Sequence, residues 1–398
     1  MTLDASINLP RLRQYRLSRV RAEMARLNIA ACVLSDPVSI RYATDLRNMQ
    51  IFTARNGPSR YLVLTDRQSI LYEFTGCMHL ADGSDTVTEV RPALTASFVA
   101  AGPAIAARES AWAEETADVI RGLVGKDATV GMERMNAGAA LALAAKGFRI
   151  VDAQQPLEMA RSVKSEDEVA CVRASLRATE RGVAKLQAAL RPGISENELW
   201  SHLHQSVIAL GADYCETRLL SSGSRTNPWF QETGERIIGA NELVALDTDV
   251  VGCYGYYSDF SRTFHSGPAA PTAAQRQLYR LAHEQVHHNI DVLKPGLSFR
   301  DFSERAWNIP DAYAANRYYL SAHGCGMTGE YPYLYHHRDY ADAGYDGVLL
   351  PGMTICVESY IGELDGTEGV KLEQQCLLTE TGVEVLSQFP FDASLLAI

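Results

Sequence analysis

A chain of 398 residues has room for two domains, and 46% hydrophobic with 21% charged residues is an ordinary composition for a folded protein. A formal net charge of −11 argues against polyanions, so neither nucleic acid nor an anionic membrane surface is expected as a partner. No run of about 18 apolar residues occurs, Met1 to Pro10 lacks the basic flank and apolar stretch of a leader, and the eight cysteines form no CxxC pair. Free thiols in a cytoplasmic protein are the expectation.

Taken in chain order, the first part reads as an alternating α/β unit. Apolar residues at helical spacing from Leu12 to Leu27 are followed by a short strand, Ala30–Leu34. Tyr61–Leu64 and Ser69–Tyr72 predict a hairpin around Thr65-Asp66-Arg67. An Ala-rich helix (Pro103–Val124), a strand (Thr129–Met132), a further helix and a strand (Phe148–Val151) complete the unit. Ser165-Glu-Asp-Glu168 is a capping box that opens a long helix to about Leu190, where Pro192-Gly193 stops it, and Ser195-Glu-Asn-Glu198 opens another to about Leu210. The domain boundary is expected near Asp152–Arg161, giving domains 1–155 and 156–398. From Glu216 onward short strands dominate, interrupted by helices at about Thr272–Leu293 and Phe299–Ala306.

Six potential metal ligands fall in this strand-rich part: Asp247, Asp249, Asp259, His323, Glu358 and Glu373. Leu243-Val-Ala-Leu-Asp247 runs apolar and ends in acids, an expensive arrangement unless the carboxylates meet cations. Asp247 and Asp249 are two apart and share a face, and the turn at Gly252–Gly255 brings Asp259 back toward them. His323 enters a glycine turn that allows close backbone approach, while Glu358 and Glu373 end apolar stretches. Five carboxylates and one imidazole suit Mn, Fe, Co or Zn better than a thiolate-seeking ion. Two divalent ions would bring four positive charges against the five carboxylates, so the site nears neutrality only when both are bound.

The order of these acids and the histidine, with Ser258-Asp259-Phe-Ser-Arg262-Thr263, Leu350-Pro-Gly-Met353 and Val370-Lys-Leu-Glu373, resembles the creatinase/prolidase/methionine aminopeptidase superfamily. The resemblance implies an α/β N-terminal domain and an α+β pita-bread catalytic domain holding two divalent metals, in a homodimer. Its ligand pattern assigns Asp247 and/or Asp249 with Asp259 to one ion, and His323 with Glu358 to the other, with Asp259 and Glu373 bridging. The doubled Asp247-Thr-Asp249 departs from the peptidases and is similar to the dimethylsulfoniopropionate (DMSP) lyase branch. Ile40-Arg-Tyr-Ala-Thr44, Tyr72-Glu-Phe-Thr-Gly-Cys77, Glu216-Thr-Arg-Leu-Leu-Ser-Ser-Gly223 and Arg225-Thr-Asn-Pro-Trp-Phe230 are similar to that branch too.

The two further histidines of the peptidases are missing, with Trp229 and Glu330 near their places. The expectation is therefore a lyase that eliminates dimethyl sulfide from DMSP, or from a similar small onium carboxylate, leaving acrylate. A C–N hydrolase and a non-catalytic binding module are the alternatives. The DMSP lyases carry two acids before a Trp-Pro, where this chain has Gly329-Glu330-Tyr331-Pro332, so Glu330 or Tyr318 is the expected base. Aromatic faces attract a cation that has no N–H to donate, which makes Trp229 and Tyr331 the expected wall for the onium group, with Tyr318, Tyr333 and Tyr335 nearby in sequence.

Overall fold

The computed structural model describes residues 7–397, and the chain divides into two compact units, Asn8–Arg161 and a second beginning at Ser162. In the first unit, the helix Leu9–Arg26 is capped by Asn8, whose side chain accepts from the Arg11 amide. It leads into the strand Ala31–Leu34, which pairs antiparallel with Tyr61–Thr65 and parallel with Thr129–Met132. The hairpin Tyr61–Thr65/Ser69–Glu73 forms around the expected turn. Strands Glu89–Pro92 and Arg149–Asp152 close the two edges of a six-stranded sheet. Helix Ile105–Val124 buries Trp112, Ala113, Ala117 and Ile120 against it. The helix begins two residues later than its composition suggests, because Gly102-Pro-Ala104 winds as a 3-10 turn first.

Two long helices open the second unit. Ser165 accepts from the Glu168 amide, and Glu168 reaches back to the Ser165 amide, so both partners of the predicted capping box are present. At Ser195 only half the device forms, with the hydroxyl accepting from the Glu198 amide. The helices Glu166–Ala189 and Glu196–Ala209 pack together, and a Cβ on Gly182 would press into Leu203, so glycine there permits close approach.

The remainder is built on three small antiparallel sheets. One has the order Ser261–His265, Leu243–Asp247, Leu220–Ser222. A second joins Tyr257–Ser258, Val250–Val251 and Tyr214–Cys215. The largest runs Gly329–Tyr335, Leu320–Cys325, Thr354–Gly362, Gly369–Leu378, Val383–Val385. The strands Thr354–Gly362 and Gly369–Leu378 read as almost continuous burial, since one face carries the core beneath helix Ala273–Val292 and the other carries polar groups enclosed by the smaller sheets. No helix among the described residues is long and apolar enough to cross a membrane.

Candidate metal centre and pocket

All six sequence-predicted ligands converge. Thr248 is the clasp for the first three: its hydroxyl donates to the Ser258 carbonyl (3.0 Å) and accepts from the Phe260 amide (3.1 Å), which holds the Asp247–Asp249 turn against Asp259. Ligand-type oxygens of Asp247, Asp249 and Asp259 lie within 4.8 Å of one another. On the large sheet, Glu358 stands directly opposite Glu373 in register, and His323 lies one strand over. The His323 Nε2 is 3.6 Å from Asp259 Oδ2, 3.6 Å from Glu358 Oε1 and 3.4 Å from Glu373 Oε1. Arg262 and Thr263, quoted above as motif, brace this arrangement from behind. Arg262 donates to the Glu373 carbonyl, and Thr263 exchanges hydrogen bonds with the main chain of Lys371.

Lys371 is the residue that sequence reasoning missed. It is fully buried, and its Nζ lies 3.2 Å from Asp247 Oδ2, 2.9 Å from Glu358 Oε2 and 2.9 Å from Glu373 Oε2, while donating to Ser261 Oγ. The signal was available: a lysine two residues before an acid in an apolar strand must share the acid's face. With it the charges close. Five carboxylates carry five negative charges, and one ammonium with two divalent ions carries five positive ones.

The donors fit such ions. Asp259 Oδ1, Glu358 Oε1 and Glu373 Oε1 are buried and have no hydrogen-bond partner, a costly state for carboxylate oxygen that a cation would relieve. Without one the site is under electrostatic stress. Burial, and after it Asp247, pushes Asp249 up to about 7. Burial, then Glu373, pushes Glu358 up to about 8 against the pull of Lys371. His323, which burial alone would lower, is carried up to about 10 by Glu373 and Glu358. Asp249 is also fixed from outside, accepting from Tyr257 (2.9 Å) and from the Thr217 hydroxyl.

The cluster forms the floor of a cavity of about 340 Å³ lined by Glu216, Phe230, Tyr318, Tyr319, Gly329 and Tyr333, among others. Its aromatic rings follow one another: Phe230 to Tyr318 at 5.3 Å, Tyr318 to Tyr319 at 4.8 Å, Tyr319 to Tyr333 at 6.2 Å and Tyr333 to His323 at 6.5 Å between centroids.

Three sequence expectations need correction on this geometry. Glu330 does not line the cavity. It is buried in an ion pair with Lys164 at 2.6 Å, tucked where a Cβ on Gly326 would strike its carboxylate. Trp229 packs with Leu219, Ala245 and Tyr360 instead of facing the cavity, and the cation 6.0 Å from its ring is Lys371. Tyr331 stacks on Tyr345 and meets Phe299 edge-on. Tyr318 does line the cavity, and burial and then the Glu358 charge push its phenol up from the ordinary range. Of the other tyrosines, Tyr333 lines the cavity and Tyr335 does not.

Residues 170–380 match metallopeptidase family M24, and residues 16–163 match the creatinase/prolidase N-terminal domain. The chain is an enzyme of family M24, with the pita-bread catalytic domain that its acid and histidine pattern implied. Among relatives, it is 34% identical over 394 residues to the dimethylsulfoniopropionate lyase DddP of Roseovarius nubinhibens, covering 98% of this chain and 88% of that one. It is equally 34% identical over 410 residues to DddP of Roseobacter denitrificans, with 99% and 90% covered. In fold it is similar to the Xaa-Pro dipeptidase from Bacillus anthracis (TM-score 0.76, 19% identity, 95% and 98% covered). The prolidase from Pyrococcus horikoshii gives a TM-score of 0.74 at 18% identity, with 95% and 99% covered.

Two predictions come from this geometry. Glu330→Gln leaves Lys164 buried without its counter-charge, and loss of one partner from such a pair costs about 3–5 kcal/mol. Urea unfolding should show that loss, while the metal content of the folded fraction stays at wild-type level. The second concerns pH. Asp249 and Glu358 have folded values above their ordinary 3.8 and 4.5, so the metal-free folded chain binds more protons than the unfolded chain between about pH 4 and pH 8. Stability therefore falls as pH rises through that window. His323, raised from 6.5 to about 10, acts in the same direction. The melting temperature of metal-stripped protein should drop from about pH 5.5 to about pH 8, and added divalent ion should recover more at the higher pH. An opposite slope refutes the prediction.

Proposed function

We propose that this enzyme is a metal-dependent lyase that cleaves DMSP, or a closely similar onium carboxylate, to dimethyl sulfide and acrylate. The single observation that carries the reading is an acid cluster with orphaned oxygens beneath a small cavity walled by aromatic rings. The 34% identity to two DMSP lyases across nearly the whole chain supports the same substrate.

Asp247, Asp249 and Asp259 would hold one divalent ion, and His323 and Glu358 the other, with Asp259 and Glu373 shared. When bound, the ions supply positive charge that attracts the substrate carboxylate and steadies the negative charge developing beside it. Fe, Mn, Co and Zn all suit this oxygen-rich donor set. The protein's own groups do the rest. Phe230, Tyr319 and Tyr333 offer rings to a sulfonium that cannot donate a hydrogen bond, an attraction of about 1–2 kcal/mol once water is excluded, while the Tyr318 ring already has the Lys371 ammonium 5.3 Å from its centroid. Lys371 neutralises the outer oxygens of Asp247, Glu358 and Glu373, so the cluster can approach an anionic substrate without repelling it. Trp229 and Glu330, near the places of the peptidase histidines, are occupied in packing and in an ion pair, which supports elimination over peptide hydrolysis. A homodimer in the cytoplasm accords with the family resemblance and with eight unpaired thiols.

The test is headspace dimethyl sulfide together with acrylate from DMSP, using protein reconstituted separately with each of the four metals. Wild type should release both products in equal amounts. Asp259→Ala should release neither, because its carboxylate serves both halves of the cluster. Xaa-Pro dipeptides should remain intact. A wild type that releases no dimethyl sulfide with any metal, or that hydrolyses such dipeptides through Asp259, overturns the reading.

A further inference from the structure

Elimination needs a base inside the cavity, and the two residues expected for that role suit it poorly. Glu330 is paired with Lys164 away from the cavity, and Tyr318 carries a phenol, a group ordinarily protonated near neutral pH. His323 points its Nε2 at three carboxylates of the cluster, and its Nδ1 lies 2.9 Å from the Gly324 carbonyl, so both ring nitrogens are committed. Of the described residues lining the cavity, Glu216 is the one carboxylate outside the acid cluster.

Its setting is well defined. Glu216 follows the strand Tyr214–Cys215, which pairs with Val250–Val251, and its amide donates to the Asp249 carbonyl at 2.9 Å. The next residue, Thr217, donates its hydroxyl to the Asp249 carboxylate. Glu216 thus stands on backbone tied directly to the acid cluster, and it is an exposed residue that lines the cavity. Gly329, which also lines the cavity, presents only a hydrogen: the nearest neighbour to a would-be Cβ is His323, at 3.9 Å. Glycine there contributes no acid, so among the described lining residues Glu216 is the only acid outside the cluster.

We propose that Glu216 is the general base of this enzyme, an inference that rests on the lyase reading above. Its carboxylate removes a proton from the carbon next to the substrate carboxylate. The electron pair of that C–H bond becomes the new carbon–carbon double bond. The bond from the β-carbon to sulfur breaks, and its electron pair leaves on sulfur as neutral dimethyl sulfide. Acrylate remains, and the proton on Glu216 passes to water, so no oxidant or co-reactant is required.

The experiment compares wild type, Glu216→Gln and Glu216→Asp, each with its metal content and melting temperature measured. If Glu216 is the base, Glu216→Gln loses about 10²–10⁴-fold in kcat with little change in KM, retains wild-type metal content, and loses the acidic limb of the pH–rate profile. Glu216→Asp recovers part of the rate and restores that limb. DMSP deuterated at the α-carbon should slow wild type, and this isotope effect should persist or grow in Glu216→Asp. If wild type turns over DMSP but Glu216→Gln keeps its rate and pH profile, the base assignment is wrong and the lyase reading stands. If Glu216→Gln loses its metal along with its rate, the residue is structural and the assignment is equally wrong. If wild type itself makes no dimethyl sulfide, the lyase reading fails and takes this inference with it.

Discussion

The clustering of five carboxylates, three of them against one buried lysine, governs the second unit. Asp247, Asp259, Glu358 and Glu373 are nearly solvent-free, and like charges at such separation repel strongly when water does not screen them. Lys371 and His323 answer part of that repulsion, and divalent ions would complete the balance. Much of the surrounding architecture serves to hold the acids together against their own repulsion. Thr248 clasps two segments, Arg262 bonds the main chain of Glu373, and Thr263 fixes the strand of Lys371.

The aromatic cavity depends on the same framework. His323 is both a candidate ligand and the last ring in the series that begins at Phe230. On the lyase reading, a substrate held by those rings would lie over the acid floor, with its two ends in environments of different polarity. Such a cavity would then favour a molecule with a cation at one end and a carboxylate at the other over one that carries either group alone.

How much of this was legible in the sequence follows from the physics of each feature. Helix caps at Ser165 and Ser195 were readable because they use local side-chain to backbone bonds. The ligand set was readable because acids at the ends of apolar strands need a reason to be there. Orientation of side chains around the glycine turn after His323 was not. The strand pairing slips between His323 and Gly324, and that slip sends Glu330 toward Lys164 while Gly329 faces the cavity. Trp229 was misplaced for a related reason: a residue beside a turn can point either way, and its ring chose the core while Phe230, in a left-handed conformation, took the cavity. Lys371 was overlooked because a single lysine in a strand carries no periodic signal, although its two-residue spacing from Glu373 places both on one face.

The pairing of Glu358 with Glu373 across adjacent strands, with Lys371 alongside, also constrains how such a protein can change over generations. A descendant released from its catalytic duty could not discard these residues in any order. Losing the lysine first would leave three buried acids facing one another, and the chain would fold poorly before any new role appeared. Losing a glutamate first relieves repulsion and is tolerated. Retired members of this lineage should therefore lose one acid first and then the lysine together with its last acid, because a buried ammonium without a counter-charge is costly in its turn.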